Sequence, residues 1–477
     1  MIVEKIPQKG VLQFSDPKSF GIDRLAAYYR NCDFHICEYS LGIKLMWAEI
    51  YEYRFSEVCG CLIARDRYDG EIYFDYPVAG EGGDVEGAIS AIEEYCLETD
   101  TPLRFATLPK QVLGELCARY DAAEVLQGYL TRDYLYDVRE ITDFSGKKFA
   151  GQRNHIRRFY RNHPNAVFRK LTPNDREALE RFADRFDRAF NKSAEEAHTE
   201  RAAAFEMLRH TDEGLFRAGC LVVDGEIVGV AMGEKCGTVL VEHIEKALAG
   251  EYEGVYPTLF QAFVQYFGGD CMLVNREDDA ADKGLRTSKM QYQPCLLSAK
   301  YDLCAKSVLE MLDDVPTLQT ERLTLDEIRA SDAESYASLC RDDGRNRYWG
   351  YDYRADTDGQ DVDDLWFCKL AWQDFEERRV LNFAIRLENK LIGEAVLYRF
   401  DCKGGAELGV RICEEYSGNG YGREVFSALA DWALYSLGVV CLRAKCFREN
   451  LPSRHMIEAS MRPCGEDERM LYFEKKI

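Results

Sequence analysis

The chain has 477 residues, of which 46% are apolar and 12% aromatic, a composition that suits globular domains with real cores. Its formal net charge of −22 disfavours a general affinity for nucleic acid or anionic lipid and favours cationic or amine-bearing partners. No apolar run approaches the roughly twenty residues that a membrane span needs. The 18 cysteines are scattered singly, without a C-x-x-C pair. We therefore expect reduced thiols in a cytoplasmic protein without a membrane span, and no metal site.

The first 140 residues contain both strand-like and helical sequence. The stretch EIYFDYPV (71–78) is rich in aromatic and β-branched residues, as strands are. The stretch VEGAISAIEEYCLE (85–98) has helical composition. We interpret residues 1–140 as a first α/β unit.

A basic segment follows in this acidic chain. Residues 146–170 contain eight Lys or Arg and no Asp or Glu. Phe149, Ile156 and Tyr160 recur at helical spacing, which predicts an amphipathic helix with its cations elsewhere on the surface. A positive helix at residues 146–161 suits tRNA or another anionic ligand. Packing against an acidic neighbouring domain explains it equally well.

Two later stretches share a pattern. LVVDGEIVG (221–229) and FAIRLENKLIG (383–393) each consist of an apolar strand, a two-residue polar turn and a second apolar strand. One more strand and then a helix follow each of them. This order predicts a repeated fold in residues 141–305 and 318–477, joined by a linker at 306–317.

The stretch EEYSGNGYGRE (414–424) has glycines at positions 418, 420 and 422, between a predicted strand and a helix predicted over 423–437. The start of a helix has unpaired backbone amides and a positive dipole, which suit a phosphate group. The spacing G-x-G-x-G matches neither the dinucleotide fingerprint nor a Walker loop. A glycine-rich turn that binds nothing is the alternative.

From Thr320 onward the sequence resembles the GNAT acetyltransferases, in particular the ribosomal-protein-alanine type. The resemblance rests on LQTERLTL (318–325), SGNGYG (417–422) and ENLPSRHMIEASM (449–461). It implies an α/β fold with a mixed, mostly antiparallel sheet flanked by helices. It also implies that acetyl-CoA donates the acyl group to a primary amine, on a small molecule or a protein N-terminus.

The same resemblance implies how the thioester carrier binds. The strand around residues 410–412 parts from its neighbour, the loop amides hold the pyrophosphate, and the late helix begins near the thiol. The implied binding residues are Val410, Arg411, Ile412, Ser417, Gly418, Asn419, Gly420, Tyr421, Gly422, Arg423, Asn450 and Ser453. Ser417 stands where the family usually has Arg or Gln. Ile457 stands where many relatives have a general-acid tyrosine.

Acyl transfer to an amine also needs a group that accepts the amine proton, and a carboxylate suits that role. Glu407 lies on the strand before the loop, and strand alternation places it on the face of Gly409 and Arg411. Glu394, directly after Gly393, is the second candidate. For either residue, a solvated strand carboxylate is the alternative interpretation.

Residues 1 to about 305 resemble the catalytic, C-terminal region of phosphatidylglycerol lysyltransferases, which transfer an aminoacyl group from charged tRNA to a lipid. RDYLYDV (132–138), GKKFAGQRNHIRRF (146–159), HIEKA (243–247) and NREDDAADKGLRTSKMQYQP (275–294) carry this resemblance. Relatives consist of two GNAT-like units in tandem, so we expect three such units in this chain: 1–140, 141–305 and 318–477. Because the chain lacks their membrane half, we do not expect the lipid acceptor.

The N-terminal half has its own candidate site, with charges of both signs that would orient an amine and a carboxyl ester. Its members are His243, Glu245, Lys246, Asn275, Arg276, Glu277, Arg286 and Lys289. A structural ion-pair network is an equal alternative. The place that matches the glycine loop reads LAGEYEGVYP (248–257), so we do not expect CoA there.

Three functions fit the sequence. The first is acetyl transfer to a primary amine by the C-terminal domain. The second is tRNA-dependent aminoacyl transfer, with that domain accessory. In the third, the N-terminal half is a non-catalytic binding module.

Overall fold

A computed structural model describes residues 12–120, 123–190, 194–357 and 359–477. The chain divides into two compact units. The first comprises most of the residues up to Cys304, and the second comprises Ala305–Ile477 with the short segments Cys96–Leu103 and Cys117–Glu124. Both contain helices and a mixed sheet, which confirms the predicted α/β class.

The strands up to residue 305 are β1 (Arg54–Val58), β2 (Cys61–Tyr68), β3 (Glu71–Phe74), β4 (Val78–Ala79), β5 (Arg104–Pro109), β6 (Ala123–Asp137), β7 (Val167–Lys170), β8 (Arg217–Val223), β9 (Glu226–Cys236), β10 (Val239–Ala247), β11 (Leu273–Asn275) and β12 (Leu296–Ala305). The helices are α1 (Pro17–Phe20), α2 (Ile22–Tyr29), α3 (Leu41–Met46), α4 (Val85–Thr99), α5 (Lys110–Arg119), α6 (Val138–Asp143), α7 (Ala150–Asn162), α8 (Arg176–Phe190), α9 (Ala194–Arg209), α10 (Val255–Phe267) and α11 (Lys283–Met290).

These strands form one 12-stranded sheet in the order β1-β2-β3-β5-β12-β6-β11-β10-β9-β8-β7, with β4 paired to β2. The sheet runs without a break through both of the GNAT-like units predicted for this half. The structure therefore does not confirm a count of three units, and a boundary at residue 140 stays a prediction.

The second unit contains β13 (Leu318–Gln319), β14 (Thr324–Asp326), α12 (Ala333–Arg341), α13 (Asp343–Asn346), α14 (Asp364–Glu376), β15 (Leu381–Leu387), β16 (Lys390–Tyr398), β17 (Gly405–Ile412), α15 (Tyr421–Trp432), β18 (Cys441–Phe447), α16 (Leu451–Glu458), β19 (Arg462–Glu466) and β20 (Met470–Lys476). Its eight strands have the order β13-β14-β15-β16-β17-β18-β20-β19. The pair β17–β18 is parallel, and the other pairs are antiparallel.

Both predicted hairpins are present, and each begins the same sequence of elements. The hairpins β8–β9 and β15–β16 turn at residues 224–225 and 388–389, where all four residues have positive φ, as a tight two-residue turn requires. A third antiparallel strand, a helix and a parallel strand follow in each sheet. The repeat inferred from the sequence is therefore present in both sheets.

Helices cover both faces of the second unit's sheet. On one face, α15 packs Val425, Phe426 and Leu429 against apolar residues of β15, β16 and β17. This helix continues as a π-helical turn to Leu437 and ends at Gly438, which has φ of +91°, as predicted. On the other face, α12 and α14 pack around Ala384 of β15. The two faces therefore lie under different helices.

The basic segment differs in one detail from its prediction. Helix α7 buries Ile156 and Phe159, whereas Tyr160 is 41% exposed, so the predicted apolar position was wrong by one residue. Phe149 is buried as expected. All 18 cysteines are free. None of the helices in the described parts of the chain combines the length and the apolar character that a membrane crossing requires.

Candidate active site

A gap in the second sheet forms the framework of the site. The parallel strands β17 and β18 pair over only three residues, ending at Glu407 opposite Arg443. Beyond this point β17 continues to Ile412 and β18 to Phe447 without pairing to each other. On its other side β17 stays paired to β16 as far as Ile412. Residues 408–412 therefore offer free backbone groups to a ligand along one strand edge.

The glycine loop lies at the end of β17. Gly418 and Gly420 have φ of +81° and +80°, a conformation that favours glycine, and Gly420 is the residue before α15. In the described chain, the backbone amides of residues 418–423 have no hydrogen-bond partner, and that of Glu424 is the first to bond, to the Gly420 carbonyl. The loop is therefore a row of free donors at the positive end of a helix.

Arginines surround this loop. The Nη1 atom of Arg345, in α13, donates to the Oγ of Ser417 over 3.0 Å. Arg322 donates to the Asn419 carbonyl over 3.1 Å and stacks on the ring of Tyr421. Arg423 is exposed at the start of α15. Sequence reasoning missed Arg345, which lies 72 residues from Ser417 in the chain.

A cavity of about 1320 Å³ occupies the gap between β17 and β18, and its wall includes residues from both faces of the sheet. The glycine loop and the start of α16 line it on the α15 face. Tyr336, Trp349 and Asp374 line it on the face under α12 and α14. Eleven of the twelve predicted carrier-binding residues line this cavity, and Asn419 does not. The cavity therefore offers separate approaches to two ligands.

Asn450 and Ser453 lie at the start of α16. The Oδ1 atom of Asn450 accepts from the backbone amide of Ser453 over 3.3 Å and so caps this helix. Both residues line the cavity. Ile457, four residues after Ser453, is buried in the core and provides no proton donor.

Glu394 holds a buried network together. Its carboxylate pairs with Arg411 at 2.6 Å and accepts from the hydroxyl of Tyr336. Arg411 in turn donates to Asn346 and stacks under Trp349, with 4.5 Å from Cζ to the ring centre. Burial alone would lower the pKa of Arg411, but the Glu394 carboxylate raises it above its usual value. Both oxygens of Glu394 are therefore engaged, and the network fixes the segment that carries α13.

Glu407 lies at the point where the two strands part. It pairs with Lys445 at 3.0 Å and with Arg399 at 3.1 Å, and its side chain is 14% exposed. Its cross-strand partner Tyr398 lines the cavity, as does Lys445, whereas Glu407 is not among the lining residues. The register places Glu407, Gly409 and Arg411 on one face, as predicted from alternation. The Oε2 atom of Glu407 has no hydrogen-bond partner, although Lys445 is within ion-pair distance.

The N-terminal candidate residues form a dense buried network in the first unit. Five consecutive residues, beginning with the last residue of β11, bond different partners: Asn275 bonds Asp133, Arg276 bonds Glu242 and Glu245, Glu277 bonds His243, Asp278 bonds Lys300, and Asp279 bonds Arg286. Lys289 donates to the Arg276 carbonyl over 2.6 Å. Lys246 is the exception, since it packs over the ring of Phe186. Seven of the eight predicted residues therefore lie in one connected network.

A group of potential metal ligands belongs to this network. Atoms of Cys37, Glu38 and Asp133 lie close enough together to bind one ion. The ammonium of Lys300 is within 2.5 Å of Glu38, 2.8 Å of Asp133 and 3.6 Å of the Cys37 sulfur. Because Lys300 bonds both Glu38 and Asp133, these side chains form an ion-pair cluster around its ammonium.

His243 lies between two carboxylates, at 2.9 Å from Glu234 and 2.8 Å from Glu277, and its side chain is fully buried. Burial alone would lower the pKa of His243, but hydrogen bonds to the two carboxylates override it and raise this pKa to about 9. The imidazolium form therefore stabilises the folded state.

We expect this stabilisation to depend on pH. Since the folded pKa lies above the ordinary value of 6.5, the contribution is complete below pH 6.5 and is lost as pH rises towards 9. The contribution of protonated His243 to the free energy of unfolding is about 3 kcal/mol. Urea unfolding of the wild type and of His243→Gln at pH 6 and pH 9.5 measures it. The difference in stability between the two proteins shrinks at the higher pH; a pH-independent difference would contradict the assignment.

In the first unit, the start of α10 is closed where the second unit has its open loop. Gly254 precedes α10 with φ of +85°. A side chain there would overlap the carbonyl oxygen of His155, in α7. The α10 N-terminus is therefore covered by α7, in contrast to the open loop at the start of α15.

Comparison with known proteins gives the family of each part. A family model described as the C-terminal region of phosphatidylglycerol lysyltransferase matches residues 29–304, more than half of the 477 residues. The chain belongs to this lysyltransferase family. A second model, an acetyltransferase (GNAT) domain, matches residues 322–460, and the second unit is a GNAT-family acetyltransferase domain.

Individual relatives match different parts of the chain. An uncharacterized N-acetyltransferase, YoaA, from Bacillus subtilis (strain 168) is 28% identical over 145 residues, 30% of this chain and 80% of its own length. A conserved protein of unknown function from Bacteroides thetaiotaomicron VPI-5482 is 23% identical, covers 62% of this chain and all of its own, and has a TM-score of 0.55, which shows a shared fold. A RimJ structure from Mycobacterium smegmatis in complex with CoA-disulfide is 16% identical over 34% of this chain and 88% of its own, with a TM-score of 0.30.

The GNAT domain thus identifies an acyltransferase that uses an acyl-CoA. The residues of this domain fit such a carrier on structural grounds alone. A free strand edge, a row of unpaired amides and nearby arginines all lie along one cavity. The comparisons provide no support for tRNA or another anion at residues 146–161, and that expectation stays untested.

Proposed function

We propose that the GNAT domain transfers an acetyl group from acetyl-CoA to a primary amine, on a protein N-terminus or a small molecule. The observation that carries this proposal is the unpaired row of amides at residues 418–423, next to the gap between β17 and β18. The amides suit a pyrophosphate, and the free edge at residues 408–412 suits an extended amide-bearing arm.

Acetyl-CoA supplies an activated thioester, so the protein needs only to position the amine and to remove its proton. We assign the proton acceptor to Glu407, directly or through a water, because it lies where the strands part and its ion-pair partners Arg399 and Lys445 are partly exposed to solvent. Glu394 has both oxygens engaged by Arg411 and Tyr336, and we assign it a positioning role. Protonation of the departing thiolate falls to water or another residue, since Ile457 has no donor.

The family usually has Arg or Gln at the position of Ser417. Arg345 supplies the long polar side chain that Ser417 does not provide there. Its guanidinium reaches the loop from α13, and its Nε atom is buried without a hydrogen-bond partner. Its ion-pair partner, Glu414, is 3.5 Å away and 74% exposed, so the pair is weak. The guanidinium therefore keeps donors for a phosphate oxygen of the carrier.

We expect Arg345→Gln to lower the affinity for CoA roughly tenfold, because a charge-assisted hydrogen bond to phosphate is lost. Calorimetric titration with CoA measures this. The matched control is Arg347→Gln, two residues away, where an exposed arginine stacks on Tyr348 and does not line the cavity. Equal affinities for the two variants would refute the role of Arg345.

A direct test of the proposed function is release of free thiol from acetyl-CoA by the full-length protein with a panel of amines. The panel contains small alkylamines, polyamines, amino-acid amides and short peptides with free N-termini. We expect amine-dependent release for at least one class. If CoA binds but no amine accelerates thiol release, acetyl transfer to amines is the wrong reaction.

The N-terminal region shows no open counterpart of the glycine loop among its described residues, because α7 covers the start of α10. We propose that this region binds a partner and does not use CoA. Its buried charged network suits a rigid scaffold, and tRNA-dependent aminoacyl transfer, the reaction implied by the lysyltransferase family, is the alternative.

A further inference from the structure

A lysine and an aspartate form a buried pair in the first unit, apart from the network described above. Lys44 lies in α3, and Asp75 is the residue after β3. The Nζ atom of Lys44 is 2.6 Å from Oδ2 of Asp75, and the two side chains are 0% and 4% exposed. Among the described residues, neither atom hydrogen-bonds to any other group. Each of the two groups therefore has the other as its partner and has lost contact with solvent.

Aromatic side chains surround this pair. The ammonium of Lys44 lies over the ring of Tyr53, 4.2 Å from the ring centre. The hydroxyl of Tyr29 is buried, and no described residue hydrogen-bonds to it. Burial, and after it the nearby Asp75 carboxylate, raise the pKa of Tyr29 well above its usual value, so this hydroxyl stays neutral. Surroundings of this kind solvate an ion poorly.

These surroundings favour the uncharged forms of both groups. An ammonium and a carboxylate lose their hydration on burial, and a single contact between them replaces little of it. Burial accordingly raises the pKa of Asp75 above its ordinary value. Transfer of one proton from Nζ to Oδ2 removes both charges and leaves a primary amine beside a carboxylic acid. An amine and a carboxylic acid are the two reactants of an amide bond.

A second carboxyl group lies next to the pair. The backbone amide of Asp75 donates to the Ala64 carbonyl of β2 over 3.0 Å, and Asp66 of β2 pairs with Tyr73 of β3. This register places Asp66 and Asp75 on one face of the sheet, as diagonal neighbours. Burial raises the pKa of Asp66 to about 7. Asp66 therefore holds a proton in a large share of molecules at neutral pH and is placed to donate it.

We infer that Lys44 and Asp75 join in an isopeptide bond that the folded first unit forms by itself. The amine nitrogen of Lys44 attacks Cγ of Asp75, and the C–N bond forms as one carboxyl oxygen leaves. Asp66 protonates the leaving oxygen as a general acid and takes a proton back from the nitrogen. One water is released for each bond formed, and the reaction needs no oxidant, cofactor or second substrate. The fixed contact of the pair supplies the proximity that the reaction requires.

Lys300 provides a comparison within the same unit. It is also buried, at 3% exposure, but its ammonium is within ion-pair distance of three carboxylates, those of Glu38, Asp133 and Asp278. Burial alone would lower the pKa of Lys300, but the surrounding acidic groups raise it well above its ordinary value. Its nitrogen stays protonated and has no electron pair for an attack. We therefore expect no bond at Lys300.

Mass spectrometry of the full-length protein, unfolded and reduced, tests this inference. We expect the wild type to be lighter than its sequence by one water molecule. Trypsin gives a branched peptide that joins residues 31–54 to residues 68–104, because it does not cleave after the modified Lys44. The peptides of Lys300 are linear in the same digest. Absence of the branched peptide, or a water loss found only at an Asp-Gly sequence such as Asp69-Gly70, would overturn the inference.

Two aspartate variants test the role of Asp66. Asp66→Asn keeps the size of the side chain but removes the acid, and we expect a fraction of branched peptide reduced about tenfold at equal times after synthesis. The matched control is Asp69→Asn, in the exposed turn after β2, which keeps the wild-type fraction. Lys44→Arg has the full mass of its sequence. An undiminished branched fraction in Asp66→Asn would contradict the assigned acid, and a water loss that persists in Lys44→Arg would contradict the bond itself.

Discussion

Gly420→Glu is expected to abolish CoA binding. Gly420 precedes α15 with φ of +80°, and its neighbouring amides are free to bind an anion. A carboxylate placed there repels the diphosphate, competes for the same amides and forces a side chain into a conformation that favours glycine. A Cβ at this position meets only Arg322 Nη2, at 3.5 Å, so the variant has room to fold. Isothermal titration with CoA measures the result, an affinity reduced at least 100-fold.

A matched variant separates the loop from general effects of strain and charge. Gly359 also has positive φ, of +74°, lies in an open exposed position and does not line the cavity. Gly359→Glu adds the same charge and the same backbone strain to the same unit. It keeps wild-type affinity for CoA. Undiminished CoA binding by Gly420→Glu would show that the phosphates bind elsewhere.

Glu407→Gln is expected to reduce kcat about 10²- to 10⁴-fold while CoA affinity stays unchanged, since general-base catalysis contributes on this scale. The glutamine keeps the size of the side chain but cannot accept the amine proton. Its neighbours Arg399 and Lys445 are 34% and 38% exposed, so water compensates their lost ion pairs and the fold remains. Steady-state thiol release and CoA titration together measure both quantities.

Two other carboxylates provide the comparison. Glu474→Gln removes an ion-paired carboxylate on β20, which β18 separates from β17, and we expect wild-type kcat. Glu394→Gln leaves the buried charge of Arg411 without its partner and costs about 3–5 kcal/mol of stability. A rate loss in Glu394→Gln at full stability, with normal kcat in Glu407→Gln, would reverse the two assigned roles.

Local signals in the sequence were sufficient to predict the hairpins, the glycine loop and the helix that follows the loop. Asp224-Gly225 and Glu388-Asn389 form tight turns because both pairs adopt positive φ. The loop is recognisable because glycines at a helix start leave amides free, whatever the rest of the fold does. These features depend on residues that are adjacent in the chain.

Features that depend on distant residues were not predictable. Arg345 reaches Ser417 from a four-residue helix 72 positions away, and no pattern in the sequence connects the two. The position of Tyr160 was wrong because helical spacing alone does not distinguish it from the adjacent Phe159.

In the N-terminal network, most of the residues named from the sequence interact as predicted, and one does not. The cluster of charges around residues 275–289 was recognisable as a site of opposite charges, and seven of the eight residues named there do interact in one network. Lys246 was not separable from its neighbours by sequence, because strand alternation turns it towards Phe186.

The central claim is that the free amides at the tip of α15 hold the diphosphate of an acyl carrier. A crystal of the full-length protein soaked with CoA tests it most directly. We predict density for the diphosphate within hydrogen-bond distance of the amides of residues 418–423, with the pantetheine arm along residues 408–412. Diphosphate density at any other place, or a crystal that takes up no CoA at saturating concentration, would contradict the claim.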